Sequence, residues 1–394
     1  MKLLIAIPAL NEEQSIRGTI QRCLEAEPAI LKNSPVTSIE VTVVSDGSTD
    51  RTVERAREFG SLINLIEFTK NQGYGAAIME AWSESPADLL GFLDADGTCD
   101  PNFFATLCKS LVEQDADIAL GCRLNQNSQM PLVRRIGNTM FAWLLSAFAS
   151  ETVRDTASGM RVVRREALHH LYPLPAGLHF TPAMSARAML SDATRIVEVD
   201  MPYAEREGES KLRVGRDGLR FLRVILESAL LYKSGRILFW GAVACSALGA
   251  VLMLRPLSWY LQNHTVLEWM IYRFLVSALA AQTAVLLWGA SVISARIGSI
   301  AMHEEVHEGR APLSGWLRTR WFFGIVAFLM CAGAALVWPS VVQLSSTGHT
   351  SVHWSRFVVA MECFGITAVL SVVRGLDHVL DLVEARVRHL RNRK

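Results

Sequence analysis

The sequence predicts an α/β domain with a mostly parallel sheet, followed by an α-helical membrane domain with four transmembrane helices. Up to about residue 215, short apolar runs alternate with amphipathic helical stretches, a pattern typical of a parallel sheet covered on both faces. From residue 237 onward, four long apolar runs follow one another. Polar clusters come directly after several predicted strands, at the edge where α/β sheets bind their ligands.

The elements of the first domain follow from hydrophobic periodicity. Predicted strands cover 2–8, 39–45, 62–69 and 89–94, and predicted helices cover 14–27, 49–59 and 74–82. The apolar N-terminus is a better match to a buried first strand than to a signal peptide, because its apolar run is short and acids follow at Glu12 and Glu13.

The four apolar runs have the length of membrane spans. They cover 237–254, 274–295, 321–338 and 357–373, and the only charged residue inside them is Glu362. Runs of this length match a hydrocarbon core about 30 Å thick. We therefore expect the domains 1–215 (α/β), 216–236 (an amphipathic interfacial helix), 237–373 (four spans) and 374–394 (a basic tail).

Basic residues near the spans predict the orientation of the chain. They are frequent in the segment before the first span, between the second and third spans, and after the fourth, and sparse in the other two loops. This asymmetry predicts a multi-pass protein of the cell inner (plasma) membrane, with the α/β domain and both termini in the cytoplasm. Whether the spans also form a homo-oligomer is left open.

The composition bears on two questions: whether nucleic acid is a partner, and whether the cysteines are reduced. The chain is 51% hydrophobic with a net charge of +1, so the total charge gives no indication of a nucleic-acid partner. Its seven cysteines are scattered without a close pair, which favours free thiols in a reduced setting.

Two acids stand at the end of the strand predicted at 89–94. Asp94 and Asp96 are one residue apart, so in extended chain their carboxylates point to the same side. Oxygen ligands in this arrangement suit Mg²⁺ or Mn²⁺, which keep further positions for water and a substrate phosphate. The pattern therefore predicts a metal site whose task is to neutralise a leaving diphosphate.

Several motifs together resemble glycosyltransferase family 2, and within it the polyprenyl-phosphate group that includes dolichol-phosphate mannose synthase. They are "IPALNEE", "VVSDGSTD", "NQGYGAAIMEAW", "GFLDADGTCDP", "GCR", "DTASGMRVVRREAL" and "EREGESKL". The resemblance covers about residues 1–235. It implies a GT-A fold, a UDP- or GDP-sugar donor, inversion at the anomeric carbon, and a polyprenyl phosphate acceptor.

The resemblance also implies site residues, carried over position by position. The positions matched to donor binding are Pro8, Glu12, Asp46 and Asp94. The metal-binding pair is Asp94 and Asp96. The positions matched to acceptor-phosphate binding are Arg123, Arg134 or Arg135, Asn138, Ser210 and Lys211. The positions matched to catalysis are Asp96, Arg123 and Arg206, the last in a mobile loop with Ser210 and Lys211. The family usually has two acids where this chain has Ser45 and Asp46.

A phosphate acceptor also agrees with the residue types present. A phosphomonoester is largely dianionic at pH 7, so it is already a nucleophile and needs cations rather than a general base. Arginine is permanently charged and forked, which suits this task. Arg161 is a further candidate beside those named above.

Three other interpretations stay open. A lipid hydroxyl acceptor would need a base, for which Asp155 is the candidate. A polysaccharide acceptor is disfavoured because no Q-x-x-R-W segment precedes the spans. A non-catalytic membrane scaffold would fit the change at Ser45.

The zinc-protease pattern H-E-x-x-H at His303–His307 lies between two spans, where an interfacial segment is the simpler interpretation.

Overall fold

The computed structural model describes residues 1–125, 130–146, 149, 152–204, 214–302 and 314–391. The chain divides into an N-terminal unit, Met1–Tyr232, and a C-terminal unit, Lys233–Lys394. This division falls inside the segment 216–236 that we expect to be an interfacial helix.

The N-terminal unit contains one seven-stranded sheet with the order β3-β2-β1-β4-β6-β5-β7. Its strands are β1 (Lys2–Ala9), β2 (Ser38–Asp46), β3 (Asn64–Phe68), β4 (Leu89–Phe92), β5 (Ile118–Cys122), β6 (Arg161–Arg164) and β7 (Ile196–Asp200). All neighbouring pairs are parallel except the two that involve β6. Since β6 is antiparallel to both β4 and β5, those two strands run in the same direction and end at the same edge. The predicted mostly parallel α/β fold is confirmed.

The three helices predicted between residues 14 and 82 are present, and further helices follow them along the chain. Together they are α1 (Ile16–Asn33), α2 (Thr52–Arg57), α3 (Tyr74–Glu84), α4 (Phe104–Glu113), α5 (Leu132–Ser146), α6 (Leu168–Leu171) and α7 (Phe180–Leu190). A further helix, α8 (Val214–Asn263), begins in this unit and has non-helical backbone angles at Lys233.

Alternation along β1 builds a core on each face of the sheet. Leu3, Ile5 and Ile7 are buried in one cluster, which includes residues of α1 and α4. Leu4 and Ala6 are buried in the other, which includes residues of α3 and α7. Because side chains alternate along a strand, a strand buried on both faces has a continuous apolar sequence, and β1 does.

The cysteines of the N-terminal unit are buried, and three of them lie in the core that includes residues of α1 and α4. Cys23, Cys99, Cys108 and Cys122 are free and buried. Burial raises the pKa of the Cys23 and Cys108 thiols to about 12. These thiols are therefore protonated and inert in the folded protein.

The C-terminal unit is helical. It contains the rest of α8 and the helices α9 (Ile271–Met302), α10 (Arg320–Thr347) and α11 (Trp354–Arg391). Among the described residues, these four helices are long and apolar enough to cross a membrane. The segment that we expect to be a basic tail continues α11 as far as Arg391.

An ion-pair network joins elements of the C-terminal unit. Arg296, on α9, pairs with Asp381 at 2.5 Å and Glu384 at 3.0 Å, both on α11. Arg318 pairs with Asp377 and Asp381 of α11. The network lies next to the apolar runs and ties the end of α9 to α11.

Candidate functional site

The polar loops predicted from the sequence meet at one edge of the sheet. In the register of the parallel strands, Pro8 of β1 lies beside Val44 of β2, and Ala6 of β1 beside Phe92 of β4. The loops that follow β1, β2 and β4 therefore leave the sheet next to one another. Glu12 and the acidic pair lie in these loops, and Asp46 is the last residue of β2. We expect all of them in the site.

The loops after β1 and β2 are held together by hydrogen bonds. The Asn11 side chain accepts from the Thr49 amide at 2.7 Å, and the Glu12 amide donates to Thr52 Oγ1 at 2.8 Å. The two loops thus form one wall, in which Glu12 is half-buried and Pro8 is buried in β1.

Asp46 fixes a third loop from within this wall. Its carboxylate accepts from the backbone amides of Gln72 at 2.6 Å and Gly73 at 2.9 Å, and its side chain is buried. Burial raises the pKa of the Asp46 carboxyl, against the effect of the two amides. Asp46 therefore positions the segment that leads into α3.

The acidic pair follows β4, and each carboxylate is held by a neighbour. Asp94 Oδ1 accepts from the Tyr74 hydroxyl at 2.7 Å, and Asp96 Oδ1 accepts from Thr98 Oγ1 at 2.7 Å. Burial, followed by the charge of Asp94, raises the pKa of Tyr74 well above its ordinary value. The tyrosine therefore keeps its proton and remains a donor to Asp94.

Helix α1 supports the turn that contains the acidic pair. Thr19 Oγ1 donates to the Ala95 carbonyl at 3.1 Å, and Arg22 Nη1 donates to the Gly97 carbonyl at 3.3 Å. Gly97 has a φ of +76°, which glycine adopts without strain. Neither Thr19 nor Arg22 was predicted as part of the site.

The donor set at this turn fits Mg²⁺ or Mn²⁺. Asp94 and Asp96 supply only carboxylate oxygens, and Mg²⁺ is usually held by one or two carboxylates together with water and substrate phosphates. Among the described residues there is no group of three or more His, Cys, Asp and Glu that could hold a metal. The described residues therefore offer no site made of protein ligands alone. The pair fits an ion that is also bound by water and a phosphate.

Arg123, directly after β5, is fixed by Asp155. Its Nε donates to Oδ2 of Asp155 at 2.7 Å and its Nη2 to Oδ1 at 2.8 Å, and its amide adds a third bond at 3.0 Å. The guanidinium also lies 5.4 Å from the ring centroid of Tyr203. Burial opposes ionisation of Asp155, but Arg123 and the other donors hold the pKa of this carboxyl below its usual range.

Asn138 belongs to the same network. Its Nδ2 donates to Asp155 at 2.6 Å, and its Oδ1 accepts from the amide and the hydroxyl of Thr156. Arg134 is half-buried and Arg135 exposed on the same helix, α5. Arg206, Ser210 and Lys211 lie outside the described residues, as does the His303–His307 pattern.

Arg161 is fully buried and braces the segment that contains Asp155. Its Nε donates to the Ser158 carbonyl and its Nη2 to the Thr156 carbonyl. Its Nη1 has no hydrogen-bond partner among the described residues, and burial lowers the pKa of its guanidinium to about 10. The described contacts of Arg161 are thus with backbone rather than with an acid.

Helix α5 has an exposed apolar face. Leu132, Ile136, Met140 and Trp143 recur at helical spacing and are between 55% and 73% exposed. The ring of Phe141 packs against Phe221 near the start of α8, at 6.1 Å between centroids. Large exposed apolar surfaces on a soluble domain mark interaction sites.

Comparisons with known proteins identify the family. The family model "Glycosyl transferase family 2" matches residues 4–172. A low-salt glycan biosynthesis hexosyltransferase of Haloferax volcanii is 36% identical over 58% of this chain and 54% of its own length. A dolichyl-phosphate hexose transferase of the same organism is 34% identical over 53% of this chain and 86% of its own length. A dodecaprenyl-phosphate galacturonate synthase of Rhizobium johnstonii is 25% identical over 64% of this chain and 74% of its own length.

The first of these relatives is matched over only about half of its length, whereas the second is matched over most of it. The matched part of this chain contains the sheet edge with Asp46, Asp94, Asp96 and Arg123. On this evidence the chain belongs to glycosyltransferase family 2.

Proposed function

We propose that this protein transfers a single sugar from a nucleotide-diphosphate sugar to a polyprenyl phosphate at the cytoplasmic face of the membrane, with inversion at the anomeric carbon. The observation that carries the proposal is that one short segment, 155–159, contacts both halves of the site. Asp155 pairs with Arg123, and Gly159 packs against the carboxylate of Asp94. The acidic half of the site, with Asp94 and Asp96, therefore lies close to the cationic half, with Arg123.

The donor belongs on the acidic half. The wall formed by the loops after β1 and β2, with Glu12 and Asp46, leads to the carboxylates of Asp94 and Asp96. These two carboxylates would hold Mg²⁺ or Mn²⁺, and such an ion supplies charge neutralisation for the departing nucleoside diphosphate. Ser45 leaves Asp46 and its contacts intact, which favours a working site over a degenerate scaffold.

The acceptor belongs on the cationic half. A lipid phosphate needs no base, so the task of this chain is to bring an anion beside an anionic donor. Arg123 is oriented by Asp155, which fixes two of its three guanidinium nitrogens. Arg134 and Arg135 on α5, and Arg206, Ser210 and Lys211, complete the proposed acceptor contacts.

The contacts of Asp155 disfavour a lipid hydroxyl as acceptor. Its side chain is fully buried and accepts from Arg123 and Asn138. A carboxylate with a lowered pKa and this set of donors is a poor general base. The candidate base for alcohol transfer therefore has another task, which is to orient Arg123.

The relatives and the apolar surfaces support a membrane substrate. Two of the relatives are named for sugar transfer to a dolichyl or dodecaprenyl phosphate. The exposed apolar face of α5 has the character of a surface that lies in the headgroup region. The four apolar helices favour a multi-pass protein. The basic residues before the first span, between the second and third spans, and after the fourth favour a cytoplasmic catalytic domain.

The test is a transfer assay with purified protein, a panel of UDP- and GDP-sugars, and either undecaprenyl phosphate or undecaprenol. Mass spectrometry should find a glycosylated lipid phosphate only without chelator. Asp96→Asn should abolish it, whereas Asp115→Asn, at a side chain 93% exposed, should not. Transfer to undecaprenol instead would overturn the acceptor, and unchanged transfer by D96N would overturn the metal role.

A further inference from the structure

The carboxylate of Asp94 contacts two residues from outside the acidic motif. The Tyr74 hydroxyl donates to its Oδ1 at 2.7 Å. The backbone of Gly159 lies against its Oδ2. We propose that Tyr74 and Gly159 are positioning residues, which hold the Asp94 carboxylate in the orientation that binds a divalent cation. This inference rests on the proposed function.

Gly159 is placed where no side chain fits. A Cβ built on it would overlap Asp94 Oδ2 and lie 2.6 Å from Asp94 Cγ. Real Cβ atoms do not approach other atoms this closely, so an alanine here would have to displace the carboxylate or its own backbone.

The backbone around Gly159 is anchored, so the displacement falls on Asp94. Ser158 Oγ donates to the Gly121 carbonyl at 2.6 Å. The Thr156 carbonyl accepts from Arg161 and from Ser185. These bonds tie the segment to β5, β6 and α7. The atoms that a Cβ would meet, by contrast, are the side-chain atoms of Asp94, which can turn about their own torsions.

Tyr74 is equally fixed, and its hydroxyl is therefore a directed donor. It is the first residue of α3, and its ring makes edge contacts with Phe92 and Phe180, with centroids 6.5 Å and 6.4 Å away. A hydrogen bond to a ligating carboxylate sets its orientation, and loss of such an outer contact typically weakens metal binding by about 10–100-fold.

Two substitutions perturb the same carboxylate in different ways. Tyr74→Phe removes the hydrogen bond and keeps the ring. Gly159→Ala keeps the Tyr74 hydroxyl and adds volume against the Asp94 carboxylate. The matched controls are Gly18→Ala, where a Cβ meets nothing within 4 Å, and Tyr260→Phe, at a side chain 47% exposed in α8.

The readout is Mn²⁺ binding itself, measured by the loss of the free Mn²⁺ signal in electron paramagnetic resonance on the full chain in detergent. We expect Kd for Mn²⁺ to rise about 10–100-fold in Y74F and in G159A, and not in the controls. Because both changes act through Asp94, the double variant should lose less than the product of the two single effects. Thermal unfolding of each variant shows whether it is folded. If G159A does not fold, Y74F alone still tests the proposal.

The outcomes separate this inference from the proposed function. If the parent binds Mn²⁺, D96N does not, and Y74F and G159A bind like the parent, the positioning role is wrong while the metal site stands. If D96N binds Mn²⁺ like the parent, the metal role of the acidic pair falls, and the positioning role with it.

Discussion

The guanidinium of Arg123 and the carboxylate of Asp155 form a buried ion pair with two parallel bonds, at 2.7 Å and 2.8 Å. Such a fork fixes the plane of an arginine as well as its charge. It also binds the carboxylate that would be the candidate base, so one contact argues for an oriented cation and against base catalysis. The pair connects the end of β5 to α5 through Asn138.

Arg123→Met should destabilise the N-terminal unit strongly. It leaves the fully buried carboxylate of Asp155 without its cation, and breaking a buried pair from one side costs about 3–5 kcal/mol. Arg154→Met is the control, because Arg154 is 54% exposed in its pairs with Glu198 and Asp200 and exposed pairs contribute about 0–1 kcal/mol. Chemical denaturation monitored by circular dichroism measures both. Equal losses would contradict a special role for the buried pair.

The same variant should change the pH dependence of stability. In the parent the pKa of Asp155 is lowered, so its contribution is present above the unfolded pKa of about 4 and is lost only as the pH falls below that value. In R123M no guanidinium offsets the burial of Asp155, so the pKa of this carboxyl rises. The free energy of unfolding of R123M therefore increases as the pH falls. The gap in Tm between parent and R123M should therefore be smaller at pH 5 than at pH 7. A gap that does not depend on pH would refute this assignment.

Polar substitution of the apolar face of α5 should affect the membrane substrate selectively. Ile136→Ser with Trp143→Ser removes two large side chains that are 68% and 72% exposed. Burial of such side chains in a membrane stabilises by about 1.5–3 kcal/mol each. We expect transfer to undecaprenyl phosphate in nanodiscs to fall about tenfold or more, with little change toward a short water-soluble prenyl phosphate. Leu62→Ser, at a site 65% exposed away from α5, should change neither.

Gly47→Ala should weaken donor binding. Gly47 has a φ of +71°, and a Cβ there would lie 2.6 Å from the Asn71 nitrogen, next to the loop that Asp46 holds. Gly60→Ala is the control, since Gly60 has a φ of +54° and open space around it. That control carries only the cost of a left-handed backbone at alanine, about 1–2 kcal/mol. KM for the nucleotide sugar should rise about tenfold in G47A and stay unchanged in G60A.

Arg296→Met should destabilise the helices of the C-terminal unit. Arg296 is 10% exposed and faces Asp377, Asp381 and Glu384 of α11. Its loss removes the buried cation that these three acids share and leaves them with more exposed partners, among them Arg318 and Arg388. We expect the Tm of the detergent-solubilised protein to fall by at least about 5 °C. Arg388→Met, at a side chain 71% exposed, should leave the Tm within about 2 °C. A fall of the same size in both would contradict the importance of burial.

Much of the fold could be predicted from local pattern. The predicted strand 39–45 is observed as Ser38–Asp46, and the predicted strand 89–94 as Leu89–Phe92, because buried parallel strands have continuous apolar sequences. Helix boundaries were less accurate. The predicted helix 14–27 ends at Asn33, beyond Pro28. The predicted helix 49–59 is observed as Thr52–Arg57, and the Asp50 carboxylate accepts from the Thr52 amide at its start.

Only the site residues that stand out within a single motif could be predicted from the sequence. Asp46, Asp94 and Asp96 each lie at or just after the end of a strand, and that placement is visible in the sequence. The contact of Tyr74 with Asp94 spans 20 residues, and that of Arg123 with Asp155 spans 32. Neither has a spacing signal, because each depends on which strands become neighbours in the sheet. The bracing roles of Thr19 and Gly159 were missed for the same reason.

Because its thiols are buried, their reaction with an alkylating reagent would report unfolding of the chain. Cys23, Cys99, Cys108 and Cys122 are enclosed in the N-terminal unit, and the other three cysteines lie on α8, α10 and α11 within the apolar runs. A water-soluble alkylating reagent therefore has no ready target in the native protein in its membrane. Counting alkylated sulfurs by mass after a timed exposure would show how often the catalytic domain opens, without any engineered label.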